Sequence, residues 1–238
     1  MPFYYYGFDW TYLVLVLPCL IFAMIASNNV NSTFKKYAKQ FSVRRITGAE
    51  AAQRVLQVNG VRGVRIERIA GNLTDHFDPS TNVIRLSDAV YASTSTAAIG
   101  VACHEAGHAV QYAVGYSPMK VRAAIIPLTN FGSKLAFPLI LAGLLLSSLG
   151  ELSMLFIYLG IAAFGLSFVF QMVTLPVEFN ASRRAMKAIE EGGILTLEEQ
   201  KGAKKTLTAA AMTYVAATAT ALAQLLRLIL IYGRRRRD

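Results

Sequence analysis

Four stretches of this chain, 11–27, 135–149, 152–177 and 207–232, contain almost no charged residues, whereas 35–122 has the mixed make-up of a soluble sequence. That division limits the fold more than any other feature. A bilayer core about 30 Å thick is crossed by about 20 apolar helical residues, so several of these stretches are long enough to span one. Composition agrees: 54% of the 238 residues are hydrophobic and 16% charged, against about a quarter charged in ordinary soluble domains. The expected architecture is a membrane α-helical protein with a small α+β domain.

The net charge of +10 raises the question of nucleic acid, and its placement answers against it. Residues 1–34 hold no Lys or Arg, and Lys35, Lys36, Lys39, Arg44 and Arg45 then follow within eleven positions. A one-sided cluster of this kind marks the cytoplasmic flank of a membrane span. No aromatic-interleaved basic motif accompanies it, so no nucleic-acid partner is expected. The first apolar stretch, Thr11 to about Ala26, is preceded by Phe3, Tyr4, Tyr5, Tyr6, Phe8 and Trp10 and includes Tyr12; such rings suit the headgroup level. A signal peptide needs a basic start, which is missing. The reading is an uncleaved anchor with its N-terminus outside and residue 35 onward in the cytoplasm. Pro18 should kink this helix or shorten its regular part. Of the two cysteines, Cys19 lies in the first apolar stretch and Cys103 in the second half of the soluble one, so neither a disulfide nor a Cys-type zinc site is expected.

Five segments follow from this reading: an aromatic segment and anchor over 1–34, a cytoplasmic catalytic segment over 35–122, a transmembrane helical hairpin over 123–177, a second cytoplasmic segment over 178–206, and an apolar helix with a basic tail over 207–238. Within the first soluble segment, Thr47 and Glu50 fit a capping box. The helix they open would bury Ala51, Ala52, Val55, Leu56 and Val58 and stop at Asn59-Gly60. Val61–Ile69 and Asn82–Ser87 alternate apolar with polar, the period of half-buried strands. Asp78-Pro79-Ser80-Thr81-Asn82 between them has turn chemistry, predicting an antiparallel hairpin. A helix should then run from Thr94 or Ser95 to Val114, closed by Gly115. Ser147–Glu151 links the two arms of the membrane hairpin, and a new helix is expected from Glu178 to Glu191. The stretch 207–232 is softer than the others. It contains Thr208, Thr213, Thr218, Thr220 and Arg227, and if it crosses, Arg234 to Arg237 fall outside, against the charge rule. It either spans, packs on the soluble domain or lies along the interface.

His104-Glu105-Ala106-Gly107-His108 matches H-E-x-x-H. Residues four apart on a helix lie about 40° apart around the axis, so two imidazoles converge on one metal while Glu105 reaches its water without being a ligand. Ala106 and Gly107 are small enough to leave space beside the metal. In a helix otherwise rich in Ala and Val, unpaired imidazoles would be costly, which favours zinc over a surface salt cluster. A catalytic zinc takes three protein ligands and keeps one position open. The residues alone offer two candidates for the third. His76 is the one remaining histidine, and Glu178 ends the uncharged arm 152–177; a plain interfacial carboxylate at a helix N-terminus would be equally comfortable.

The run Cys103–Ala109, the run Leu175–Ala185 and Leu73–Pro79 together resemble the YugP-like neutral zinc metallopeptidases of bacterial membranes, over about residues 30–230. More distantly the arrangement is similar to the HtpX heat-shock proteases and the CAAX prenyl proteases, in which a helix after the transmembrane hairpin supplies a glutamate ligand through Glu-x-x-x-Asp. The resemblance implies a zincin-like, gluzincin-type catalytic domain, Zn2+ as cofactor, Glu178 as third ligand, and a place in the bacterial inner membrane. This chain departs from the distant pattern at Ser182, where those families have Asp. His76 is read two ways, as a donor to the oxyanion formed on peptide attack or as a turn residue paired with Asp75 or Asp78. Arg183 and Arg184 read as juxtamembrane charge or as a peptide-carboxylate site.

The expected activity is hydrolysis of protein or peptide substrates. His104, His108 and Glu178 hold zinc, and Glu105 carries the water proton to the leaving amine. The strand near 82–87 would align an extended substrate by sheet addition. Two rivals are an intramembrane-cleaving zinc protease and a non-enzymatic zinc-stabilised scaffold. The second has no use for Glu105, because structural zinc sites are closed by four ligands.

Overall fold

The computed structural model describes residues 4, 5 and 8–233. Phe3, Tyr6 and Arg234 to Arg237 lie outside them. The elements in chain order are β1 (Tyr4–Tyr5), β2 (Phe8–Asp9), a π-helical turn (Tyr12–Val16), α1 (Leu17–Tyr37), α2 (Gly48–Val58), β3 (Arg65–Ile69), β4 (His76–Asp78), β5 (Val83–Ser87), α3 (Asp88–Tyr91), α4 (Thr96–Ala113), α5 (Ser117–Leu145), a 3-10 turn (Ser147–Leu149), α6 (Glu151–Glu191) and α7 (Leu197–Tyr232). Among the described residues, four helices are long and apolar enough to cross a membrane: Tyr12–Tyr37, Ser117–Leu145, Glu151–Glu191 and Leu197–Tyr232. The chain divides into two compact units. One comprises Met1–Ile25, Val121–Thr174 and Tyr214–Asp238, the other Ala26–Lys120 and Leu175–Thr213.

The first unit is helical apart from the short β1–β2 ribbon. Pro18 acts just ahead of itself. Its missing N–H deprives the carbonyl of Val14 of an i+4 donor, and the ladder widens to a π-turn over Tyr12–Val16, with the Leu17 N–H donating to the Tyr12 carbonyl. The α5–α6 hairpin turns at Gly150, whose φ of 57° suits glycine. Its arms meet through small residues: a Cβ on Gly143 would lie 2.7 Å from the Ser153 carbonyl oxygen, and one on Gly160 2.8 Å from that of Ala136. Contact of this kind is how apolar helices associate without a hydrophobic drive. The polar residues that soften 207–232 are largely satisfied. Thr213, Thr218 and Thr220 donate to carbonyls of their own helix at 2.7–2.9 Å, and Arg227 pairs with Asp9, its Nε at 2.8 Å. The Asp9 carboxylate also accepts from the Tyr12 N–H at 3.1 Å.

The second unit is built on α2 and α4 packed over a three-stranded sheet. Thr47 and Glu50 form the reciprocal cap that opens α2, and Ala51, Ala52, Val55 and Leu56 are buried while Val58 is exposed. Exposure of Val58 corrects the expectation for it: the last residue of α2 turns away from the core that Val55 and Leu56 enter. The sheet order is β3-β5-β4. The expected turn forms, because Asp78 accepts from the Ser80 N–H at 2.9 Å and the Thr81 hydroxyl at 2.6 Å, but the arm antiparallel to β5 is β4 rather than the expected strand over 61–69. β3 joins β5 in parallel, with Ile66 opposite Ile84. Extended backbone starts only at Arg65, since Gly63 has φ 78°. β5 is therefore central, its Val83, Ile84 and Leu86 fully buried. Both its edges are occupied, so it cannot receive a substrate strand, and the edge strands are β3 and β4.

Candidate metal centre

α4 is capped by Ser95, whose side chain accepts from the Ala98 N–H, and it presents His104, Glu105 and His108 from its second half. α6 does not restart at Glu178. It continues through Pro176 to Glu191, so Glu178 is a mid-helix residue rather than one at a helix N-terminus. Gly107 controls the approach of the two helices. A Cβ there would lie 2.6 Å from the Ala181 carbonyl oxygen, inside any permitted contact. The room beside Gly107, expected to serve the metal, is taken up by the α6 backbone. That close approach lets Glu178 reach α4.

The outcome is a compact group. Glu178 Oε2 lies 3.2 Å from His104 Nε2 and 3.5 Å from His108 Nε2. One ligand atom from each of the three residues falls within 4.8 Å of the other two. Ligands about 2.0–2.2 Å from a tetrahedral zinc sit about 3.3–3.5 Å from one another, so both Glu178 separations match a shared ion. Such a group could hold a metal. Glu178 and His108 are buried, and so is Glu105. Burial would lower the His108 pKa, but its hydrogen bond to Glu178 and the charges of Glu105 and Glu178 outweigh that and raise it. Burial would raise the Glu178 pKa, and its bonds to His104 and His108 reverse the shift, holding it below the usual carboxylate range. Two buried carboxylates beside two imidazoles make a field that favours a cation.

The outward-facing nitrogens are held as well. His108 Nδ1 lies 3.0 Å from Gln111 Oε1. Gln111 Nε2 donates to the Val177 carbonyl at 2.8 Å and to Asn180 Oδ1 at 3.0 Å. Those two acceptors fix the amide, so Oε1 accepts from His108 Nδ1–H, and His108 Nε2 is the ring atom on the Glu178 side. Ser182 Oγ lies 3.1 Å from His104 Nδ1. Where the more distant families have Asp, this chain thus sets the Ser182 hydroxyl against His104 Nδ1. Sequence reading did not single out Gln111; its signal was an amide one turn past the second histidine in an Ala/Val-rich helix. Gln111→Ala is expected to weaken zinc binding about 10–100-fold with the fold intact, checked by competition against a chromophoric chelator.

His76 lies outside this group. It is exposed on β4, and its Nδ1–H donates to the Thr74 carbonyl at 2.8 Å. Neither proposed carboxylate partner is hydrogen-bonded to it: Asp75 accepts from Ser87, and Asp78 from Ser80, Thr81 and Arg85. Arg184 donates to Asn180 at 2.8 Å and lies over the Tyr116 ring. Cys103 is buried, with its thiol pKa pushed up by burial.

Residues 12–233 match the family described as "Putative neutral zinc metallopeptidase". The chain belongs to that family. It is also 43% identical over 221 residues, 93% of this chain and 96% of the relative, to a Bacillus subtilis (strain 168) protein named "Putative membrane protease YugP". No solved structure matches it. For this zinc metallopeptidase family member, the donor set of two imidazoles and one carboxylate is of the kind zinc takes in catalytic sites.

Proposed function

We propose that the protein is a membrane-bound zinc metallopeptidase, with His104, His108 and Glu178 as ligands and Glu105 as general base. The observation that carries this is the spacing of Glu178 Oε2 from the two Nε2 atoms, 3.2 and 3.5 Å, with both Nδ1 atoms held from behind. Held by these three residues, zinc would supply an acidified water, of pKa about 7, and a Lewis acid for the scissile carbonyl. Glu105, buried beside His108, would take the proton of that water and deliver it to the leaving amine. A set of three protein ligands would suit a catalytic zinc, since structural zinc sites are closed by four.

An extended substrate would lie along β4 rather than β5, since β4 is an edge strand and its Phe77 packs against Tyr112 of α4, ring centroids 5.9 Å apart. His76 on that strand is the proposed oxyanion donor. Because Nδ1–H is committed to Thr74, Nε2 can donate only from the doubly protonated ring. The catalytic centre is assigned to the cytoplasmic side of a bacterial inner membrane, following the Lys35–Arg45 cluster.

The test is metal removal. Detergent-purified protein should cut casein or a soluble peptide, lose that activity on chelation, and regain it with about one zinc per chain. A protein that binds zinc yet cuts neither would be a scaffold. Cleavage confined to bilayer-embedded substrates would make it an intramembrane protease.

A further inference from the structure

The second unit holds a charged cleft outside the metal centre. α1 ends in Lys35 and Lys36, and α7 carries Lys201, Lys204 and Lys205 in its first turns. Gly202 draws the two helices together: a Cβ there would lie 2.8 Å from the Tyr37 ring and 2.7 Å from Gln40 Oε1. The α7 lysines are thereby set beside Lys36, around a cleft of about 500 Å³. No Asp or Glu lines it. Lys201 is paired with Glu198 at 2.7 Å. Lys36, Lys204 and Lys205 have no carboxylate partner among the described residues, and all three are exposed. Further along the same cleft, Thr33 and Asn29 of α1 face Ala209 and Met212 of α7. Met212 lies seven positions beyond Lys205, about 10 Å along the helix.

We propose that this cleft binds the headgroup of an anionic phospholipid. Three lysines contact the phosphate, the α1 hydroxyl and amide meet the glycerol region, and Ala209 and Met212 take the start of an acyl chain. Two features favour a lipid over an acidic peptide. The lysines stand at the corresponding ends of two helices that are each apolar enough to span, and the wall turns along the helix axis from cationic to uncharged, through Asn29, Thr33 and Thr208 to Met212. Basic pockets between membrane helices recognise anionic headgroups in this way. The proposal is independent of the peptidase reading.

The experiment uses the full chain in neutral detergent, titrated with phosphatidylglycerol, phosphatidylcholine or inorganic phosphate, and followed by native mass spectrometry and melting temperature. Phosphatidylglycerol should bind and raise the melting temperature, the other two should not, and each lysine removed should weaken binding about fivefold. Lys36→Gln/Lys204→Gln/Lys205→Gln should therefore lose nearly all binding, while Arg54→Gln/Arg62→Gln/Arg65→Gln, equal in charge and outside the lining of the cleft, should keep it. The corresponding Lys→Arg triple should also keep it, and if the Gln triple misfolds, the single variants give the same ranking. Equal response to phosphatidylcholine, equal protection by phosphate, displacement by an acidic peptide but not by lipid, or equal loss in the control triple would each overturn the proposal.

Discussion

Glu178→Gln is expected to empty the metal centre while leaving the fold in place. The amide keeps the shape of the carboxylate and removes its charge, so two neutral imidazoles remain to balance a dication at a buried position. Loss of an outer partner such as Gln111 costs about 10–100-fold in affinity, and loss of the anionic ligand itself should cost more. Zinc content measured after dialysis at micromolar protein should drop from about one per chain to near zero, with the circular dichroism spectrum unchanged. His76→Gln serves as the counterpart and should retain its zinc. The reverse pattern, metal kept by Glu178→Gln and lost by His76→Gln, would make His76 the third ligand.

Glu105→Gln should separate metal binding from chemistry. Glu105 points from the helix at a different angle from the two histidines and does not belong to the His104, His108 and Glu178 group. Zinc should therefore stay bound. Peptide hydrolysis should fall about 10²–10⁴-fold, the usual contribution of a positioned general base. The loss should appear in kcat with little change in KM, because a proton acceptor acts in the transition state. Undiminished cleavage by the purified variant would remove Glu105 from the role.

Local features were legible in the sequence because they depend on neighbours a few residues away. The Thr47–Glu50 cap, the Asp78 turn, the α4 boundaries and the Ser147–Glu151 link all rest on hydrogen bonds or backbone geometry within one or two turns. Features that depend on distant partners were not. β5 alternates like a half-buried strand, yet residues on both its faces are buried, and β3 joins it in parallel from residues 65–69. Arg227 and its threonines read as too polar for a comfortable span, and their partners are Asp9 and the carbonyls of their own helix. Ser182 read as a departure from a family pattern, and its hydroxyl stands at His104 Nδ1.

The sequence by itself determined the chemistry on offer: two histidines four apart on a helix, a glutamate between them, and apolar stretches of membrane length. Helical periodicity is a local rule, so the His104–His108 pair is written in the chain. Only the tertiary structure decided that Glu178, 74 positions from His104, comes within 3.2 Å of it. The reason is steric. α6 passes α4 closely enough for that contact because residue 107 has no side chain, and nothing within five residues of His104 announces which backbone will occupy the space.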